Sequence, residues 1–384
     1  MRILHTASTY APSLDGVAEI VRNISERLVK RGHEVHVATS ALPLESSYTE
    51  ISGVHVHRFS ARGHLALGIY GETEKYRQFV GSGSWSVMVN HGLHVWPTDA
   101  LLQQLGQYRW PSVLVTHGLV DGHPAFREYY SEIPRHVLDY STWIATSSCS
   151  GEASYCTRFN LPTPPVITNG VDKEEWARPP MGLRRAWGIG SKPWVINVSN
   201  HSPLKNHGLF YDLAGSLRHL NVCFSLIAGT YPMAKWGLGR FGASGGCAYQ
   251  CRLRSMVSPS TVDLRKNRPR TEVVSAIKEA DLMVSTSGKE ANSIVLLESM
   301  AAGVPWVSFD VGSARINAGG VVVRDMDEMK DVVAELSRNA ELRRKLGNGG
   351  SAQISEKHNW DTIVDQYEQL YEGLISQRLP QVCA

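Results

Sequence analysis

Glu290 and Glu298 stand eight positions apart in Gly-Lys-Glu-Ala-Asn-Ser-Ile-Val-Leu-Leu-Glu-Ser-Met-Ala-Ala-Gly-Val-Pro-Trp-Val, residues 288–307. The run 282–285 reads as a strand, so Glu290 falls in the loop that follows it. Residues 293–302 read as an apolar helix that carries Glu298 and is stopped by Gly303 and Pro305. A carboxylate above the carboxyl end of a strand lies where open α/β sheets bind ligands. Being an ionised acceptor, it suits the hydroxyls of a sugar or a ribose. The plain alternative is a solvated carboxylate on a helix.

This E-x7-E pattern resembles the signature of retaining GT-B glycosyltransferases, family GT4 in particular. In that family the first Glu lies at the transferred sugar and the second binds the nucleotide ribose. The resemblance therefore implies these roles for Glu290 and Glu298. The family usually has Gly-Phe-Gly after the first Glu, with backbone amides touching the sugar. Here Ala291-Asn292-Ser293 stands in its place. Asn292 and Ser293 become donor-site candidates, with the Asn292 side chain replacing one backbone contact.

Further positions follow from the same resemblance. The family grips the donor diphosphate with an Arg after the first strand of the second domain and a Lys five residues beyond it. In Asn197-Val-Ser-Asn-His-Ser-Pro-Leu-Lys-Asn-His the Lys position is Lys205 and the Arg position is Asn200. Asn donates a hydrogen bond but cannot neutralise charge. Arg265 or Lys266, after the insertion, is the candidate to compensate, and Gly229, at the end of the next strand, joins the donor-side set. Gly16, preceded by Asp15, opens the first helix, whose free amides and dipole suit an anion; a simple turn is the alternative. His117 ends the strand 112–116, where the family carries a His near the transferred sugar. His91 ends the neighbouring strand in the same way. Asn169-Gly170-Val171-Asp172 matches the family turn at which the chain leaves its first domain.

These residues need elements to hold them. The first half alternates short strands (2–6, 34–39, 54–59, 86–90, 112–116, 142–146, 165–168) with amphipathic helices. The helix 16–31 repeats Ile20, Ile24 and Leu28 and stops at Gly32. Such alternation implies right-handed βαβ units and mostly parallel sheets. The Pro-rich stretch 172–193 reads as an interdomain connection. The pattern then restarts with strands 194–199 and 222–228, a helix over 272–279, the strand 282–285, the Glu298 helix and the strand 306–309. Residues 231–260 read as a long Gly-rich, then basic, insertion, followed by a short strand over 261–264. In the tail, Trp360, Ile363, Tyr367, Leu370 and Tyr371 form one apolar face, which resembles the GT4 closing helix that crosses back to the first domain.

The expected architecture is α/β of GT-B type, two Rossmann-like domains facing across a cleft. The acceptor domain spans 1–187, the nucleotide-sugar domain 188–358, and the returning helix 359–384. A chain of 384 residues is long enough for two cores. Its 39 basic and 36 acidic residues leave a net charge of +3, which argues against a nucleic-acid surface. Six cysteines are scattered and suggest no disulfide framework. Cys247-x3-Cys251 has metal-like spacing, but no second Cys or His pair follows it. No signal peptide or membrane-spanning run is legible, so a cytoplasmic protein is expected, with peripheral membrane contact left open.

The function expected is retaining transfer of a sugar from a nucleotide-activated donor, with UDP the expected carrier, to a small-molecule, glycan or lipid-linked hydroxyl. No cofactor and no metal are expected. Two alternatives stay open. One is a sugar-nucleotide 2-epimerase of the same fold, and the other a non-catalytic carbohydrate-binding relative.

Overall fold

A computed structural model describes every residue except 14, 44, 120–125, 230–242, 258–260 and 379–384. It divides into two compact units, 1–169 with 360–384, and 170–359. The boundary therefore falls at Asn169/Gly170, not at 187/188. The reason is packing: Trp176, Leu183 and Ile189 belong to the second unit's core, with Ile277 and Met300. Glu279 accepts hydrogen bonds from the backbone amides of Gly182, Leu183 and Arg184. The Pro-rich stretch is thus part of a domain rather than a linker.

Unit 1 comprises β1 (Arg2–Thr6), α1 (Gly16–Lys30), β2 (Glu34–Ser40), β3 (Tyr48–Ile51), β4 (Val54–Phe59), β5 (Ala61–His64), β6 (Gly68–Gly71), α2 (Thr73–Ser82), β7 (Val87–His91), α3 (Trp96–Asp99), β8 (Ser112–Val115), α4 (Arg127–Val137), β9 (Thr142–Ile144) and α5 (Glu152–Phe159). Its main sheet runs β3-β4-β2-β1-β7-β8-β9, parallel except where β3 pairs antiparallel with β4. The winding order of the strands reverses between β1 and β7. The β3 strand and the β5–β6 hairpin were not legible in the sequence. The predicted strand 165–168 reduces to one bridge, Ala145 to Val166.

Unit 2 comprises α6 (Lys173–Ala177), α7 (Leu183–Ala186), β10 (Trp194–Asn200), α8 (His207–Ser216), β11 (Cys223–Gly229), α9 (Ala243–Val257), β12 (Asp263–Lys266), α10 (Arg270–Glu279), β13 (Leu282–Ser285), α11 (Ile294–Ala301), β14 (Trp306–Phe309), β15 (Gly320–Val323), α12 (Met326–Arg338) and α13 (Ala340–Lys357). Its all-parallel sheet runs β12-β11-β10-β13-β14-β15, with the reversal between β10 and β13. Strands buried on both faces need continuous apolar runs, and Trp194-Val195-Ile196 and Leu282-Met283-Val284 supply them. The expected insertion is in part the helix α9, whose Cys251 carbonyl accepts from the Tyr211 hydroxyl of α8 at 3.1 Å. Its Gly-rich start, including Gly237, Gly239 and Gly242, lies outside the described residues.

The closing helix α14 (Trp360–Arg378) belongs to unit 1. Its buried stripe is Trp360, Ile363, Val364, Tyr367 and Tyr371; Val364, not Leu370, completes it. Each such side chain contributes about 1.5–3 kcal/mol on burial. Arg31, just beyond α1, fixes the docking, with contacts of 2.6 Å to Asp365 and 2.8 Å to Glu368.

Candidate functional site

In unit 2, β10 and β13 are neighbours in a parallel pairing, so their carboxyl ends open onto the same edge at the reversal point. The loop after β10 carries Lys205, and the loop after β13 carries Glu290. Lys205 Nζ lies 2.5 Å from Glu290 Oε1. The backbones are joined too. Gly288 N donates to Leu204 O at 2.8 Å, and Thr286 Oγ1 donates to Lys205 O at 2.9 Å. A third loop, after β14, braces Glu290 from behind. Ser313 N donates to Ala291 O at 2.9 Å. Gly312 has φ +52°, and a Cβ there would come within 2.3 Å of Ala291 O and 2.6 Å of Glu290 O. Only glycine fits at that spot.

Asn292 and Ser293 are buried. Asn292 Oδ1 accepts from Ser313 Oγ at 3.1 Å, so its side chain ties two loops together rather than standing free for a sugar. Ser293 is the N-cap of α11 but makes no side-chain capping bond, which leaves the first amides of α11 to other acceptors. Asn200 and Gly229 are register partners at the ends of β10 and β11. A Cβ on Gly229 would sit 2.3 Å from Asn200 Oδ1, so the glycine lets Asn200 lie flat against its neighbour.

Glu298 is buried on α11, not solvated. Arg270 Nη1 reaches its Oε1 at 2.5 Å and also grips Glu175 with two bonds of 3.0 and 2.6 Å. The guanidinium lies over the Trp176 ring at 5.7 Å. One arginine thus holds two carboxylates from segments 123 residues apart (298 − 175). Arg265 has other work than compensating for Asn200. Its Nε pairs with Asp263 at 2.7 Å and its guanidinium stacks on Trp187 at 4.6 Å.

In unit 1 the reversal point lies between β1 and β7, and three histidines line up there. His5 Nδ1 is 2.8 Å from His91 Nε2, and His91 Nδ1 is 2.9 Å from His117 Nε2. The rings stack pairwise, with centroids 5.1 and 5.2 Å apart. Burial pushes His5 down to about 3 and His117 down to about 4, and holds His91 well below the ordinary imidazole range. All three are therefore neutral near pH 7. His117 sits at φ +52°, and its Nδ1 is buried with no hydrogen-bond partner among the described residues. Gly16 does open α1, but the cap beside it is acidic. Asp15 Oδ1 accepts from Ala18 N at 3.1 Å and from Thr9 Oγ1 at 2.9 Å. The place expected for an anion already holds a carboxylate, which disfavours a second negative charge.

Sequence reasoning missed Arg270 and Glu175, Gly312 and Ser313, and His5. Each is defined by a partner far along the chain, and only the strand order brings them together.

Two units, each wound about a parallel sheet, with a lysine and a carboxylate meeting at the reversal point of the second, define a glycosyltransferase of GT-B fold. The chain belongs to the glycosyl transferases group 1, of the GT4 type. Residues 183–353 match the model of that family, described as Glycosyl transferases group 1, and residues 15–170 match a Glycosyl transferase 4-like domain. An uncharacterized glycosyltransferase of Methanocaldococcus jannaschii is 25% identical over 97% of this chain and 98% of its own length. The N-acetyl-alpha-D-glucosaminyl L-malate synthase of Bacillus anthracis is 25% identical over 96% of both. Among solved structures, a sucrose-phosphate synthase from Thermosynechococcus elongatus superposes with a TM-score of 0.79 at 17% identity, covering 98% of this chain and 99% of that one. At that identity the likeness carries the fold alone.

Proposed function

We propose that this chain is a retaining glycosyltransferase that moves a sugar from a nucleotide-activated donor, with UDP as the carrier, to a hydroxyl acceptor. The observation that carries the reading is the contact of Lys205 with Glu290 at the reversal point of unit 2. A lysine there suits a diphosphate, and a carboxylate beside it suits the hydroxyls of the sugar attached to that diphosphate. When a donor binds, the diphosphate takes the Lys205 ammonium and Glu290 turns to the sugar. Glu298, gripped by Arg270, is assigned the hydroxyls of the ribose.

The chemistry follows from charge. As the glycosidic bond breaks, negative charge grows on the leaving diphosphate. Lys205 and the first amides of α11 oppose it. The acceptor hydroxyl attacks from the face the diphosphate leaves and gives its proton to the departing phosphate oxygen, so the configuration is retained. Lys205 and the α11 amides supply the charge stabilisation, so the reading calls for no metal at the reaction centre. Acceptor recognition is assigned to unit 1, for a small-molecule, glycan or lipid-linked hydroxyl. No described helix is long and apolar enough to cross a membrane. The five described cysteines are unpaired, which supports a reducing, cytoplasmic setting.

The test is a panel of UDP-, GDP- and ADP-sugars, scored for binding and for slow hydrolysis without an acceptor, with the anomer of the released sugar read by NMR. A UDP-sugar that binds and yields the retained anomer is expected. Preference for another base changes the donor and keeps the reaction. A donor isomerised at C2 with no transfer, or no binding across the panel, overturns the reading.

A further inference from the structure

Four side chains converge beside the β10–α8 loop: His201, His207, Cys247 and Cys251. All are buried, and one ligand atom from each lies within 4.8 Å of all the others. The two cysteines, four positions apart, project from one face of α9. The two histidines bracket the Lys205 loop, His201 just past β10 and His207 at the first position of α8. The spacing Cys247-x3-Cys251 has its partner pair after all. That pair precedes it by 40 residues (247 − 207) instead of following it.

The separations match a metal polyhedron. Zinc bonds of about 2.3 Å to sulfur and 2.0–2.1 Å to nitrogen, at tetrahedral angles, place S and N about 3.5 Å apart. His207 Nδ1 is 3.5 Å from both sulfurs, and His201 Nδ1 is 3.7 Å from Cys247 Sγ. The His207 tautomer is also fixed. The Ser199 hydroxyl donates to Asn197 Oδ1 at 2.9 Å and so must accept from His207 Nε2, 2.7 Å away. That leaves the His207 Nδ1 lone pair aimed at the thiols, the outer-shell arrangement that orients metal-bound histidines. The far nitrogen of His201, Nε2, is buried without a partner among the described residues.

We propose that His201 Nδ1, His207 Nδ1, Cys247 Sγ and Cys251 Sγ bind a structural Zn²⁺. Four protein ligands close the coordination sphere and leave no position for substrate. Binding converts both thiols to thiolates and releases their two protons to solvent. The ion would clamp α9 to both ends of the loop that presents Lys205. It is a separate site from the Lys205–Glu290 pair and stands whether or not that pair handles a sugar nucleotide.

The experiment uses the full chain, reduced and dialysed against metal-free buffer. Plasma mass spectrometry should find zinc in stoichiometric amount. Exchange with Co²⁺ should give the thiolate-to-cobalt bands and the intense visible absorption of a tetrahedral N₂S₂ site. The Cys247→Ala/Cys251→Ala double variant should hold no stoichiometric metal. The milder Ser199→Ala, which keeps all four ligands and removes only the hydrogen-bond partner of His207 Nε2, should weaken the metal about 10–100-fold in a chelator competition. Metal held equally by the double variant overturns the assignment. So does a reduced wild-type chain that binds neither ion, or a disulfide joining Cys247 to Cys251 in the protein as isolated.

Discussion

Lys205 Nζ and Glu290 Oε1, 85 residues apart in the chain, meet at 2.5 Å and neutralise each other at the carboxyl ends of β10 and β13. The pairing couples two effects that a mutation separates. In Glu290→Gln the ammonium loses its internal partner and stays free for a diphosphate. UDP affinity should hold or rise, while kcat and kcat/KM fall together, because the lost carboxylate acts in the transition state. Calorimetry for UDP beside steady-state kinetics decides it. Weaker UDP binding with normal turnover would count against the assignment.

Lys205→Ala removes a charge-assisted contact of about 1.5–3 kcal/mol. UDP should bind roughly 10–100-fold more weakly, and uridine nearly unchanged. Equal losses for both ligands in parallel titrations would indicate a damaged unit instead.

Gly312→Ala tests whether the loop behind Glu290 sets its position. The new Cβ meets Ala291 O at 2.3 Å, and the left-handed backbone costs an alanine about 1–2 kcal/mol. The Glu290 segment must shift, and a displacement near 1 Å can cost about a hundredfold in rate. Turnover should drop by that order, while the unfolding midpoint falls by only roughly 2–8 °C, as the backbone cost implies. Wild-type kinetics would show that the loop does not govern Glu290.

Much of this was legible beforehand, and what was not has physical causes. The E-x7-E carboxylates, Lys205 and His117 could be singled out as candidates because a motif or a strand end marks each one locally. The unit boundary was placed late, because a Pro-rich stretch looks like a linker until Trp176 and Leu183 are seen in the core. Arg265 looked free because its ties to Asp263 and Trp187 depend on which way an edge strand faces. The histidine row and the Arg270 clasp need the strand order, which no local pattern encodes.

Arg270 holds Glu298 and Glu175 at once, so its loss and the loss of Glu298 should differ. Arg270→Ala removes the cation shared by two partly or fully buried carboxylates and should cost about 3–5 kcal/mol. Glu298→Gln leaves Arg270 bonded to Glu175 and should cost about 1–2 kcal/mol, while weakening nucleoside binding through the lost acceptor. Urea unfolding of both variants gives the order, and a reversed order would mean that the clasp does not stabilise unit 2.

The histidine row makes the stability of unit 1 depend on pH, with a definite sign. His5 and His117 titrate at about 3 and 4 in the folded chain, against about 6.5 when unfolded. Between those values the unfolded chain binds more protons, so stability rises with pH there. The contribution is complete above about pH 6.5 and is lost as pH falls towards 4, by up to about 1.4 kcal/mol per pH unit for each histidine. Asp99, raised to about 6 by burial, acts in the opposite sense, so the decisive quantity is a difference between variants. His117→Asn keeps a residue that tolerates φ +52° and removes one titrating ring. Unfolding midpoints of both proteins at pH 7 and pH 5 should show the wild type losing more stability than the variant. Equal losses would mean that His117 is charged in the folded chain at pH 5, and that the row does not hold its rings neutral.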